Sequence, residues 1–288
     1  MSVNAATLNP KLSTPPSPSV ELLVLGAGPA MGLNGRTTSC YLLRVGARRM
    51  LIDCGPAIIQ QLHETGVAPH QIDDVCFTHA HADHALGYPM LMLWRLFKAP
   101  AGVGLPRIIA SQATLAALDG IMQYSLAGEA EMARAAPRVA LPTDAPASFA
   151  LDADILLRTW PMSHSPYAPA LGLRFEIGAP PEQKVIAFTG DTGPCDNVAL
   201  LAQDADLLVH EATFSARLKP ELAAGAFGHS TAQIAGRHAA AARARRLALV
   251  HLDVSAEGQE QVFIEEAAAE FDGPVSAPMA GVQFTIRG

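Results

Sequence analysis

The chain has 288 residues, half of them hydrophobic and 16% charged, enough for one large core or two small ones. Net charge is -7, and the basic residues gather no further than Arg243, Arg245 and Arg246 in "RARR". That balance argues against a nucleic-acid groove, which needs Lys and Arg clusters to displace counterions from phosphates. Four cysteines (Cys40, Cys54, Cys76, Cys195) show no C-x-x-C spacing and read as unpaired thiols of a reducing compartment.

Residues 1–20 are rich in Ser, Thr and Pro and read as a flexible head, without the basic start and apolar run of a signal peptide. No stretch approaches the roughly 18 apolar residues of a membrane span. A cytoplasmic protein without membrane contact is expected.

"VELLVLGAG" predicts a buried strand stopped by glycine, and "SCYLLRVGARRMLIDCG" two strands joined at Gly46. "PAIIQQLHETG" has helical spacing with a glycine stop. "DDVCFTH" is a further strand, and the apolar "LGYPMLMLWRLF" follows it closely. "PRIIAS" and "QATLAALDGIMQYS" give a strand and a helix. Residues 128–150 are Ala- and Pro-rich and weakly patterned, and are expected to form an excursion or lid. Strands return in "ILLRTWPMSH", "LGLRFEI", "KVIAFTGD", "DLLVHEA", "LALVHLD" and "VQFTI", with helices in "STAQIAGRHAAAARA" and "GQEQVFIEEAAAEF". The alternation predicts one α/β domain over residues 21–288, with a similar rhythm in its two halves.

"FTHAHADHALG" places His79, His81, Asp83 and His84 within six positions just past a strand. Imidazole and carboxylate are natural ligands of Zn²⁺, Mn²⁺ or Fe. Alternate side chains let His79 and His81 share one ion, while Asp83 and His84 turn toward a second. His164, Asp191 and His251 each end an apolar strand, the place where α/β folds hold ligands. A carboxylate at Asp191 could bridge two ions.

"THAHADH", His164, "FTGDT", "VHEATF", "GHST" and "LVHLD" together resemble the metallo-β-lactamase superfamily and, within it, the ribonuclease Z-like branch. The likeness spans roughly residues 21 to 288. It implies a four-layer αβ/βα sandwich with a dinuclear site at one edge. One divalent ion would take His79, His81 and His164, and the other Asp83, His84 and His251, with Asp191 bridging. Zn²⁺ is expected first, with Mn²⁺ or Fe as alternatives. Glu211 and His229 match a pair thought to assist proton transfer, and a structural role for both stays open. The branch also suggests a homodimer.

Ser230 and Gln233 read as a capping box at a helix start beside His229. His210 is expected buried, and by the same resemblance Asp53 would support the histidine loop through hydrogen bonds. His63, His70 and His238 read as surface or helix-face histidines. Only 27 positions separate His164 from Asp191, too few for the protruding arm of tRNA-processing relatives. Nucleic acid is therefore a poor substrate, and a small molecule is expected. Arg36 and Thr37 could contact a phosphate or carboxylate, and Tyr88, with Met92 and Trp94, could line a partly apolar cleft.

The leading expectation is a dinuclear hydrolase of a small phosphodiester in which Asp83 also orients the nucleophile. A lactonase or carboxylic ester hydrolase is the alternative within enzymes. A metal-bearing sensor or assembly protein is the alternative outside them.

Overall fold

In the computed structural model, which describes residues 18–31, 36–223, 225–253 and 257–286, the predicted strands fall into two mixed sheets. Residues 1–17 of the expected head lie outside the described residues. The first sheet is built from β1 (Val20–Gly26), β2 (Cys40–Val45), β3 (Arg48–Ile52), β4 (Asp74–Cys76), β5 (Arg107–Ser111) and β6 (Arg138–Leu141). The second holds β7 (Ala147–Asp152), β8 (Ile155–Pro161), β9 (Leu171–Ile177), β10 (Lys184–Phe188), β11 (Leu207–Glu211), β12 (Leu247–Val250) and β13 (Val275–Ser276). A last strand, β14 (Gln283–Ile286), returns to pair with β1.

The sheet orders are β14-β1-β2-β3-β4-β5-β6 and β13-β12-β11-β10-β9-β8-β7. In each, three antiparallel pairings lead into three parallel ones. The similar rhythm of the two halves is thus a repeated pairing pattern.

Both faces of these strands are apolar because both are covered. On β1, Val20, Leu22 and Val24 enter the core between the sheets, while Leu23 and Leu25 face helices. On β10, Ile186 and Phe188 point inward and Val185 and Ala187 outward. Helices α1 (Ile58–Glu64), α2 (Ala82–Ala85), α3 (Tyr88–Lys98), α4 (Gln112–Leu126) and α5 (Ala130–Arg134) belong to the first half. Helices α6 (Asn197–Leu201), α7 (Ala232–Ala241) and α8 (Glu260–Ala268) belong to the second. The result is the expected four-layer αβ/βα sandwich. No helix among the described residues is long and apolar enough to cross a membrane.

Residues 128–150 differ from expectation. They contain α5 and two edge strands, β6 pairing with β5 in one sheet and most of β7 pairing with β8 in the other. Edge strands are half exposed, so their apolar patterning is weak. The segment is part of the scaffold and no lid. The interval between His164 and Asp191 is filled by β9 and β10, paired antiparallel from Leu173 to Ile177.

Candidate metal centre

Strands β1, β3, β4, β8, β10, β11 and β12 all run toward one rim, so the loops at their C-terminal ends converge there. His79, His81, Asp83 and His84 follow β4, His164 follows β8, Asp191 follows β10 and His251 follows β12. The two halves meet directly at this rim, where the His251 N–H donates to Ala27 O at 2.8 Å.

The seven residues separate into two donor groups that share Asp191. One is His79, His81, His164 and Asp191, and the other Asp83, His84, Asp191 and His251; the donor atoms within each group lie within 4.8 Å of one another. His81 Nδ1 is 3.0 Å from His79 Nε2 and 3.1 Å from His164 Nε2. Asp191 Oδ2 is 3.6 Å from His79 Nε2 and 3.5 Å from His251 Nε2. Asp83 Oδ2 is 3.1 Å from His251 Nε2 and 3.4 Å from His84 Nε2. Donors held about 2.0–2.1 Å from a tetrahedral ion lie about 3.3 Å apart, so these spacings suit metal ligands.

The hydrogen bonds behind the histidines fix which nitrogen is free. Thr78 Oγ1 donates to Asp53 Oδ2 at 2.8 Å, so at 3.1 Å it accepts from His79 Nδ1. His84 Nδ1 donates to Asp53 Oδ2 at 2.7 Å and His164 Nδ1 to Gly228 O at 2.9 Å. Thr213 Oγ1 donates to Glu211 Oε2 at 2.9 Å and accepts from His251 Nδ1 at 3.0 Å. Four Nε2 lone pairs are thereby turned inward onto two carboxylates. His84 Nε2 is buried with no hydrogen-bond partner among the described residues. An inward lone pair of this kind is satisfied by a cation, so the residues fit a divalent metal.

The electrostatics agree. Burial, reinforced by His84, holds the His79 imidazole well below its usual pKa, and burial with His164 lowers that of His81. Burial opposes charge on His84 too, but the Asp191 and Asp53 carboxylates outweigh it and raise its pKa. Burial likewise works against ionised Asp191, yet His251, His84 and His79 hold it well below the carboxylate range. The centre favours positive charge while its outer imidazoles resist protonation. A metal cation on neutral histidines meets both conditions.

Asp53 and His251 both stand in the left-handed region, at φ 59. Such conformations for residues other than glycine are uncommon and gather at functional sites. Asp53 supports the histidine loop as expected, accepting from Thr78 N, Thr78 Oγ1 and His84 Nδ1.

Glu211 and His229 lie beside the donors. Glu211 Oε1 accepts from His229 Nδ1, Ser230 N and Thr192 N at 3.0, 3.0 and 3.1 Å. The His229 ring stacks on His251 with centroids 5.2 Å apart and is 5.0 Å from that of His164. Burial opposes protonation of His229, but the Glu211 hydrogen bond outweighs it and raises the pKa. The helix cap is one residue later than expected. Thr231, not Ser230, caps α7 by accepting from Ile234 N, because the buried Ser230 hydroxyl donates to Thr192 O at 2.7 Å.

The side chains expected to contact substrate are engaged within the protein. Arg36 is buried, donating to Pro278 O at 3.4 Å and to Glu260 Oε1 at 3.3 Å. The Thr37 hydroxyl donates to Leu25 O at 3.1 Å and accepts from Gln61. Tyr88 is wholly buried, edge-on to Phe77, and Met92 joins the same core. Trp94 instead lines an outer apolar groove with Ile59, Met90, Leu93, Phe97 and Lys98, away from every donor. His210 is buried as expected, but His238 is its hydrogen-bond partner at 2.8 Å rather than a free helix-face residue. Thr78 and Thr213, which orient His79 and His251, were missed. A threonine next to each donor motif in "FTHAHADH" and "HEATF" is their only signal.

The family model described as "Anti-Pycsar protein Apyc1" matches residues 20–224. The ribonuclease Z of Bacillus licheniformis is 30% identical over 304 residues, covering 90% of this chain and 96% of the relative. That of Thermobifida fusca is 32% identical over 300 residues, covering 88% and 91%. The solved metallo-β-lactamase fold protein YhfI from Bacillus subtilis superposes with a TM-score of 0.76 at 23% identity, covering 93% of this chain and 99% of that one, a likeness of fold. The chain is a metal-dependent hydrolase belonging to the metallo-β-lactamase superfamily, to its ribonuclease Z-like branch and, by residues 20–224, to the Anti-Pycsar protein Apyc1 family.

Proposed function

We propose that this hydrolase is a phosphodiesterase that uses two divalent ions, Zn²⁺ first and Mn²⁺ or Fe as alternatives, on a small phosphodiester. His79, His81, His164 and Asp191 would hold one ion, and Asp83, His84, His251 and Asp191 the other. When bound, such a pair supplies an activated water nucleophile near neutral pH and screens the charge that builds on the phosphate oxygens.

The observation that carries the reading is the Glu211–His229 pair next to the donor groups. With Nδ1 given to Glu211, His229 has Nε2 free to hold a proton. Glu211 raises its proton affinity, and release of that proton to the leaving oxygen is general-acid catalysis. Asp83 Oδ2, between two histidine nitrogens, orients the attacking water. The ribonuclease Z relatives, whose name denotes action on RNA, support phosphorus as the electrophile. A small substrate is favoured because β9 and β10 fill the His164–Asp191 interval and the net charge is -7.

The test is hydrolysis of bis(p-nitrophenyl) phosphate by Zn²⁺- and Mn²⁺-loaded protein, with metal content measured on the same sample. Turnover lost on chelation and restored by metal is expected. Two bound ions with hydrolysis of a lactone or carboxylic ester alone would replace this reading with the esterase one. Bound ions with no turnover of any ester would favour a sensor or assembly protein.

A further inference from the structure

We propose that His238 of α7, acting through His210, positions the proton-donating pair. The two histidines tie the helix that follows His229 to the strand that ends in Glu211, and so set the register between them. The inference rests on the phosphodiesterase reading, in which His229 is the general acid, and adds a positioning residue to it.

His210 is the next-to-last residue of β11 and is wholly buried. Its ring meets that of His238, with His210 Nε2 2.8 Å from His238 Nδ1 and the two rings stacked at 5.1 Å between centroids. The roles of the four nitrogens follow from one contact. His210 Nδ1 lies against Glu211 O, and a carbonyl can only accept, so Nδ1 carries the proton. Burial, with His238 beside it, pushes the His210 pKa down to about 3 and keeps the ring neutral. Nε2 is then a lone pair, and His238 Nδ1 donates to it.

The Glu211 carbonyl lies where the sheet no longer serves it. The β10–β11 ladder runs only to Phe188 and Val209, because β10 then turns away to carry Asp191 to the metal donors. Beyond that point the Glu211 N–H donates to Thr189 Oγ1 at 3.2 Å, and the His210 ring meets Glu211 O. Buried backbone groups need such partners. The peptide after Glu211 is therefore held from the helix side by two imidazoles.

Register is what this tie adds. Glu211 ends β11, whereas His229 stands three residues before α7, so their 3.0 Å contact depends on how strand and helix are placed. Near the pair, α7 is fastened at its start, by Phe214 N to Ser230 O at 3.2 Å and Ala232 N to Phe214 O at 3.0 Å. A helix fastened at one end can swing. Its buried face is Ala232, Ala235, Gly236 and Ala239, too smooth to interlock firmly with a neighbour. His238 is six residues past Ala232, about 9 Å along the axis, and fastens α7 at a second point. Burying imidazoles in an alanine-lined layer is unfavourable unless they are paired. A paired polar contact there selects one register where alanines would accept several.

The experiment compares methyl phenyl phosphate with methyl p-nitrophenyl phosphate, diesters of similar size whose leaving groups differ in their need for a proton. His238→Phe keeps a ring and removes the donor, whereas His238→Asn keeps a donor near the place of Nδ1. In the Phe variant kcat for the phenyl ester should fall roughly tenfold relative to the p-nitrophenyl ester, part of the roughly 10²–10⁴-fold that a positioned acid contributes. KM and bound metal should hold, and the Asn variant should recover the ratio. An unchanged ratio in active protein, or both esters lost in parallel, overturns the proposal. His238→Leu makes the same comparison where the Phe variant folds poorly. Amide exchange on the metal-loaded protein, followed by mass spectrometry, reads the tie without turnover. Peptides covering residues 209–214 and 229–235 should exchange faster in His238→Phe and recover in His238→Asn. That pattern in a protein that hydrolyses neither ester would keep the tie and remove the phosphodiesterase reading. Exchange indifferent to His238 overturns the tie itself.

Discussion

Asp53 Oδ2 lies 2.7 Å from His84 Nδ1, and the residue that makes this contact stands at φ 59. A left-handed aspartate costs about 1–3 kcal/mol, which its three accepted hydrogen bonds offset. The carboxylate thereby fixes both the His84 tautomer and, through Thr78, the direction of His79.

Asp53→Asn isolates that role, because asparagine tolerates the same backbone while replacing one acceptor oxygen with a donor. Metal affinity should fall roughly 10–100-fold, read by competition with a chromophoric chelator. Far-UV circular dichroism should stay as in the unsubstituted protein. Unchanged affinity would mean that Asp53 supports only the fold.

Asp191→Ala removes the one carboxylate common to both donor groups. Bound metal, measured by atomic emission, should drop below one ion per chain, with hydrolysis falling to background. The secondary structure should persist, since the core strands do not depend on this side chain. Wild-type turnover in this variant would end the dinuclear mechanism.

His229→Ala should retain metal near normal and lose roughly 10²–10⁴-fold in turnover. The loss should be far smaller for a p-nitrophenyl ester, whose leaving group needs little protonation, than for an alkyl diester. Glu211→Gln tests the same pair through pH. Burial disfavours the protonated form of His229 and Glu211 favours it, with a net upward shift. With His229 as the proposed general acid, activity is expected to be lost as pH rises through that pKa. Removing the carboxylate moves this alkaline limb to lower pH, and an unmoved limb would assign it to another group.

His210 gives a stability prediction separate from the metal. Burial, with His238 beside it, pushes its pKa down to about 3, against roughly 6.5 when unfolded. Above pH 6.5 both states are neutral and the residue adds no pH dependence. Between about 6.5 and 3 the unfolded chain takes up a proton that the folded chain refuses, so stability falls as pH falls. Urea unfolding in excess chelator should show an acid loss that is smaller in His210→Gln, by up to roughly 2 kcal/mol at pH 5. Parallel curves for the two proteins would refute the assignment.

The donors were legible because their chemistry is local in sequence. His79, His81, Asp83 and His84 are crowded into one turn, and His164, Asp191 and His251 each close an apolar run. What escaped the sequence depends on the partner across the fold. Ser230 has the residue type of a cap, but its hydroxyl is taken by Thr192 O, 38 positions away. Tyr88 looks like a cleft residue until Phe77 is found against its edge. Arg36 reads as a free cation until α8 brings Glu260 to it. Residues 138–141 and 147–152 show little strand pattern because each lies at an edge, paired on one side alone.

Each donor group draws side chains from both sheets, one contributing His79 and His81 with His164, the other Asp83 and His84 with His251. The spacing of the donors within each group therefore depends on how far apart the two sheets stand. The thickness of the apolar layer holding the sheets apart acts as a calliper on it. Substitutions deep in that layer, such as Leu157→Val or Ile186→Val, touch no donor yet would reset the gauge of the centre. Evolution could tune the chemistry of this rim from the middle of the molecule.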